Sequence, residues 1–120
     1  KLILIAEDEV AYGKILKDIL EKEGYEVIVT ADGDELLQTA HKHKASLVLL
    51  DIVMPMKNGF QVLIEMKKDE QLKKIPVVVI SNLGQVGDIE KAKKLGADDY
   101  IIKSDETFYA VIDKIKAQVN

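Results

Sequence analysis

Leu47-Val48-Leu49-Leu50 is an unbroken apolar run that ends in Asp51 and is followed at once by Ile52-Val53-Met54-Pro55. A run apolar on both faces reads as an interior strand of a parallel sheet, covered by helices on either side. The carboxylate at its end is then no routine solvated acid. In open α/β sheets the ligand crevice lies at the carboxyl ends of the strands. Three further runs finish in the same way. Leu2-Ile3-Leu4-Ile5-Ala6 runs into Glu7-Asp8, Val77-Val78-Val79-Ile80 into Ser81, and Tyr100-Ile101-Ile102 into Lys103. If the strands are parallel, all four polar ends converge on one edge of the sheet.

Helical patterns separate these runs. Val10 to Glu23 places Ala11, Ile15 and Ile19 on one stripe with Leu16 and Leu20 beside it, and Gly24 stops it. Tyr25 to Thr30 alternates, which marks an edge strand among continuous ones. Asp34 to His43 is a short helix, and residues 59–69 are a third, carrying Val62, Leu63 and Met66. Pro76 is tolerated at the start of the strand over 77–81. Val86 to Leu95 has only a thin stripe of Val86, Ile89 and Ala92, entered past Gly84 and Gly87, and is a candidate moving part. The last helix carries Phe108, Val111, Ile112, Ile115 and Val119, with Ser104 expected as N-cap and Asp105 and Glu106 in the first turn. Five βα units with right-handed crossovers predict a flavodoxin-like, doubly wound parallel sheet of order 2-1-3-4-5. Its switch point falls between strands 1 and 3, flanked by their acids.

A chain of 120 residues is expected to form one domain over 1–120, with a core of its own. Without cysteine there is no disulfide framework and no thiolate chemistry, which fits a reducing, cytoplasmic setting. No apolar stretch approaches the roughly 20 residues of a membrane span, and no signal peptide precedes the first strand. A net charge of -4 argues against a nucleic-acid surface. All 17 basic residues are lysine, so no arginine offers a bidentate phosphate clamp.

Glu7, Asp8 and Asp51 would gather three carboxylates, whose repulsion a hard divalent cation resolves. Oxygen-only ligands point to Mg²⁺, which takes one or two carboxylates and leaves room for a phosphate oxygen. Lys103 adds a point charge and Ser81 a hydroxyl for that phosphate. A phosphatase working through an aspartyl phosphate would want a second acid two residues beyond its nucleophile, and Val53 stands there. A phosphorylated Asp51 would therefore persist as a state.

Glu7-Asp8, the Asp51-Ile52-Val53-Met54-Pro55 run with Asn58-Gly59, Ser81, Tyr100 and Lys103 together resemble a response-regulator receiver domain of two-component signalling, of the chemotaxis-regulator kind. The likeness covers essentially the whole chain. It implies that Asp51 accepts a phosphoryl group from a phosphohistidine on a sensor histidine kinase or phosphotransfer protein. It implies Mg²⁺ on Asp8, Asp51 and the Val53 carbonyl, with Glu7 helping mainly through water. Lys103, Ser81 and Asn82 would hold the phosphoryl oxygens. Ser81 would draw the following loop inward and Tyr100 would swing into the space vacated, reshaping the helix 4, strand 5 and helix 5 surface for a partner.

Ser104 stands where receivers usually carry proline after the lysine, often across a cis bond. A cis bond without proline costs roughly 2.5–4 kcal/mol, so a trans bond with an adjusted turn is expected. Rival readings are a magnesium-dependent phosphohydrolase, a flavodoxin-like cofactor binder and a degenerate receiver serving only as a scaffold. The missing acid at Val53 opposes the first. The acidic Glu7-Asp8-Glu9 turn would repel a bare phosphate and opposes the second. His41 and His43, two apart on a helix, diverge and read as a solvated face.

Overall fold

A computed structural model describes residues 1–119. Strands β1 (Leu2–Ala6), β2 (Glu26–Thr30), β3 (Leu47–Leu50), β4 (Val77–Ser81) and β5 (Asp99–Ile102) alternate with helices α1 (Val10–Lys22), α2 (Gly33–Lys42), α3 (Gly59–Lys68), α4 (Val86–Lys94) and α5 (Phe108–Val119). All four strand pairings are parallel, and the order is β2-β1-β3-β4-β5. The doubly wound sheet expected from the sequence is the one observed.

The period-two geometry of a strand sorts each apolar run between two layers. Ile3, Ile5, Leu47, Leu49, Val78 and Ile80 face α1 and α5, where Leu16, Leu20, Val111 and Ile115 meet them. Leu4, Ala6, Val48 and Leu50 face α2 and α3, against Leu36, Ala40, Val62, Leu63 and Met66. Burying each such side chain stabilises the fold by about 1.5–3 kcal/mol. The bracketing of β3 by β1 and β4, in register Ala6↔Leu50↔Val79, brings the strand ends level.

Three local expectations are corrected. Ala11 and Ile15 of α1 are exposed; the buried stripe is Gly13, Leu16 and Leu20, with Tyr12 and Ile19 packed beside it. Gly13 packs close to β2 and to Glu7, since a Cβ there would lie 3.2 Å from Val29 Cγ1 and 3.6 Å from Glu7 Cγ. Val86 of α4 is 70% exposed, leaving Ala92 as that helix's one buried residue. The last helix starts at Phe108, with the Thr107 hydroxyl accepting from the Ala110 N–H at 3.1 Å. Ser104 and Asp105 instead belong to a 3₁₀ turn, Lys103–Asp105, that carries the chain away from β5.

Candidate functional site

Local chemistry fixes the backbone around Asp51. Its N–H continues the sheet ladder to the Ala6 carbonyl at 3.0 Å. Helix α3 begins with a reciprocal cap: Asn58 accepts from the Gln61 N–H and Gln61 from the Asn58 N–H, each at 3.0 Å. Gly59 then donates to the Ile52 carbonyl at 2.8 Å. A Cβ at Gly59 would collide with the Asp51 carbonyl and lie 2.7 Å from Ile52 Cα, so only glycine lets α3 press on the strand end. Between them Lys57 donates to the Pro55 carbonyl at 2.9 Å across Met56, whose φ is 69°. That is a γ-turn of the rare, strained kind.

The Asp51 side chain is buried, with two donors of its own. The Val53 N–H reaches Oδ1 at 3.2 Å and the Lys103 ammonium reaches Oδ2 at 3.1 Å. Lys103 is also buried and forms a tighter pair with Glu7, and Glu9 Oε1 stands 3.6 Å away. Burial lowers the Lys103 pKa, but the pairing with Glu7 and Asp51 more than restores it, and the net direction is upward. Burial pushes the Glu7 carboxyl up to about 7 against the pull of Lys103 and of the Glu9 N–H, which donates to Oε2 at 3.1 Å. The Lys103–Ser104 bond is trans, and no cis peptide occurs among the described residues. The 3₁₀ turn still delivers the ammonium to Asp51.

Asp8, Glu9, Asp51, Val53, Ser81, Asn82, Leu83 and Lys103 line an open cleft of about 290 Å³ at the carboxyl ends of β1, β3 and β4. Asp8 is exposed and Glu7 lies beneath the cleft floor, yet one oxygen from each of Glu7, Asp8 and Asp51 falls within 4.8 Å of the others. This donor set fits a hard divalent cation. Glu7 Oε1 is fully buried, and the Lys103 ammonium is the positive charge that meets it. A wider cavity of about 800 Å³ sits at the opposite end of the strands, beside Lys1, Ser46 and Pro76, and holds none of these acids.

Tyr100 stands apart from the cleft. It is buried against Ile52, Val79 and Ala92, and its hydroxyl donates to the Leu83 carbonyl in the loop after β4. Burial raises its pKa, Asp88 adding to the effect and contact with the Ser81 hydroxyl opposing it. The Ser81 hydroxyl itself accepts from the Leu83 N–H at 3.2 Å. Tyr100 thus contacts both Ser81 and the Leu83 carbonyl of the loop after β4.

Two neighbours of Lys103 were not singled out in the sequence for this site. Glu9 reads only as part of the acidic turn after the first strand, and Tyr12 belongs to no motif. No local spacing signals Tyr12, since Asp8 lies ahead of α1 and the contact is made across the fold with Lys103. His41 does not join His43 in any site: its Nε2 meets Asp69 at 3.0 Å and its Nδ1 meets Gln71 at 3.1 Å, tying α2 to the segment after α3.

Against known proteins, the family profile described as response regulator receiver domain matches residues 3–113. The probable transcriptional regulator ycf27 of Cyanophora paradoxa is 39% identical over 103 residues, covering 86% of this chain and 42% of that protein. The chain thus spans about two fifths of the length of that relative. The polar-differentiation response regulator DivK of Brucella ovis is 37% identical over 103 residues, covering 86% of this chain and 84% of that protein. Among solved structures, the Mn²⁺-bound form of response regulator Rcp1 superposes with a TM-score of 0.87 at 27% identity, covering 98% of this chain and 92% of that one.

Proposed function

The chain belongs to the response-regulator receiver family, a signalling rather than an enzymatic class, and from that premise we propose that Asp51 is the phosphoacceptor of a phosphorylation-dependent switch. One observation carries the reading: a buried carboxylate opens onto a cleft with an ammonium on one oxygen and two further acids beside it. A phosphohistidine on a sensor histidine kinase or phosphotransfer protein is the donor. An Asp51 carboxylate oxygen attacks phosphorus, the P–N bond breaks, and its electron pair stays on that ring nitrogen, so the histidine leaves as neutral imidazole with its proton on the other nitrogen. Lys103 leaves its pairing with Asp51 to follow the transferred oxygens, and the Ser81 hydroxyl and the Asn82 segment receive another. Asp8, Asp51 and the Val53 carbonyl, with Glu7 behind them, would hold a divalent cation, whose charge would offset that gathered on the phosphoryl oxygens. The Mn²⁺ in the related Rcp1 structure supports that assignment, and Mg²⁺ is the physiological candidate.

The acquired charge of about −1.5 to −2 supplies the driving force for rearranging the loop after β4 and helix α4. Val53, exposed beside the cleft, offers no side chain to activate water, so the phosphorylated state lasts well beyond seconds. The whole of residues 1–120 acts as the one receiver unit, in a cytoplasmic setting; no helix among the described residues is long and apolar enough to cross a membrane. Intact mass after incubation with acetyl phosphate and Mg²⁺ tests the reading. One added phosphoryl group, absent from Asp51→Asn and from a metal-free control, is expected. No gain in the wild type, with divalent binding retained, would leave a binding scaffold. Multiple turnover of a phosphate ester would mean a phosphohydrolase.

A further inference from the structure

We infer that Tyr12 is a positioning residue for Lys103: its ring, fixed by α5, holds the ammonium within reach of Asp51. The inference rests on the phosphoacceptor reading for its consequence, though not for its geometry. Lys103 opens a 3₁₀ turn with Ser104 next in the chain, so no proline ring stiffens the backbone that carries the ammonium. Four long bonds of side chain must then be held by what surrounds them. Three carboxylates share the charge: Glu7, which forms the tightest pair, Asp51 at 3.1 Å and Glu9 at 3.6 Å. Coulomb attraction sets the ammonium between Glu7 and Asp51, and Glu9, farther away and half exposed, adds less.

The fourth contact is of another kind. Lys103 Nζ lies 4.7 Å from the centre of the Tyr12 ring, within the range of a cation–π interaction. The ring is backed in turn by Phe108 of α5, centroids 5.1 Å apart and planes at 38°. Tyr12 also packs against the core cluster of α1 and α5. It therefore has little freedom to move with the lysine. An aromatic face attracts the ammonium without a proton-accepting atom and without fixing a hydrogen-bond direction. Such a contact stays available while Nζ passes from the Asp51 carboxylate to the phosphoryl oxygens. A carboxylate in the same place would hold the lysine back.

The test compares Tyr12→Phe, Tyr12→Leu and Tyr12→Met, with thermal melts confirming that each folds. The first readout is the proton shift of the Lys103 ε-methylene, which the ring current displaces upfield. Wild type and Tyr12→Phe are expected to share that displacement, and the leucine and methionine variants to lose it. The second is the rate of Asp51 phosphorylation by acetyl phosphate at saturating Mg²⁺. Tyr12→Phe should match wild type, while Tyr12→Leu should be about five- to twentyfold slower. In a Lys103→Ala background the leucine substitution should add no further loss. Equal rates in all variants, loss in Tyr12→Phe, or an undiminished effect without Lys103 would each overturn the inference. If the wild type takes no phosphoryl group, the phosphoacceptor reading falls, and the ε-methylene shift alone decides whether Tyr12 holds the lysine.

Discussion

Glu7 is the residue where electrostatics and folding are most directly linked. Burial raises its carboxyl from 4.5 to about 7, more than the Lys103 ion pair can lower it. Between those values the folded chain keeps a proton that the unfolded chain has released, so stability falls as pH rises through that window. Without divalent cation, the urea midpoint is therefore expected to drop between pH 5 and pH 7.5. Glu7→Gln should flatten that slope and stabilise the metal-free protein by roughly 1–2 kcal/mol at neutral pH, while weakening divalent binding. A wild-type midpoint that stays level over the window, or a glutamine variant that destabilises at pH 7.5, would refute this account. The same residue was read from sequence as a water-mediated helper of the metal. Its burial under the cleft, which depends on how α1 lies on β2, was not legible from a Glu-Asp pair.

Among the elements, the start of α5 and the anchoring of α4 carry the sharpest expectations. Ser104 reads as a cap because it is a capping residue type ahead of an apolar stripe, with Asp105 and Glu106 in the first turn. The chain first needs a 3₁₀ turn to leave β5, so Thr107 takes the position instead. Thr107→Ala should cost about 1 kcal/mol in chemical denaturation, and Ser104→Ala close to nothing. The reverse order would restore the cap read from sequence. Helix α4 has one buried residue where α3 has four, so far less apolar surface holds it to the sheet. Its backbone amides should exchange with solvent about tenfold or more faster than those of α3 under native conditions. Equal protection in both helices would remove the basis for treating α4 as the moving part. Lys91, 4.3 Å above the Phe60 ring, is a contact that ties the two helices and was invisible in the thin apolar stripe.

For the whole molecule, the two apolar layers and the cleft above them are coupled through the strands that build both. Leu49→Ala, in the centre of β3 and fully buried, should destabilise by about 2–5 kcal/mol in urea unfolding. A loss under 1 kcal/mol would mean that α1 and α5 close the gap. Mg²⁺ binds only the folded cleft in this account, so at a hundredfold excess over its dissociation constant it should stabilise by about 2.7 kcal/mol. That gain should vanish in Asp51→Asn if the carboxylate is a ligand; an unchanged gain would place the ion elsewhere. The sequence by itself determined the parallel sheet, its order and the edge on which Glu7, Asp8, Asp51, Ser81 and Lys103 meet. Short apolar runs rich in Val, Ile and Leu and bounded by turns suit a doubly covered sheet, and the polar residue closing each run marks one end of it. What only the tertiary structure decided was which way each side chain is held: Glu7 turned inward, Tyr100 already packed inside, and Tyr12 placed under Lys103. Those outcomes depend on contacts between elements distant in sequence, such as Tyr12 with Phe108 and Gly13 with Glu7, and a local periodicity carries no information about the far side of such a contact.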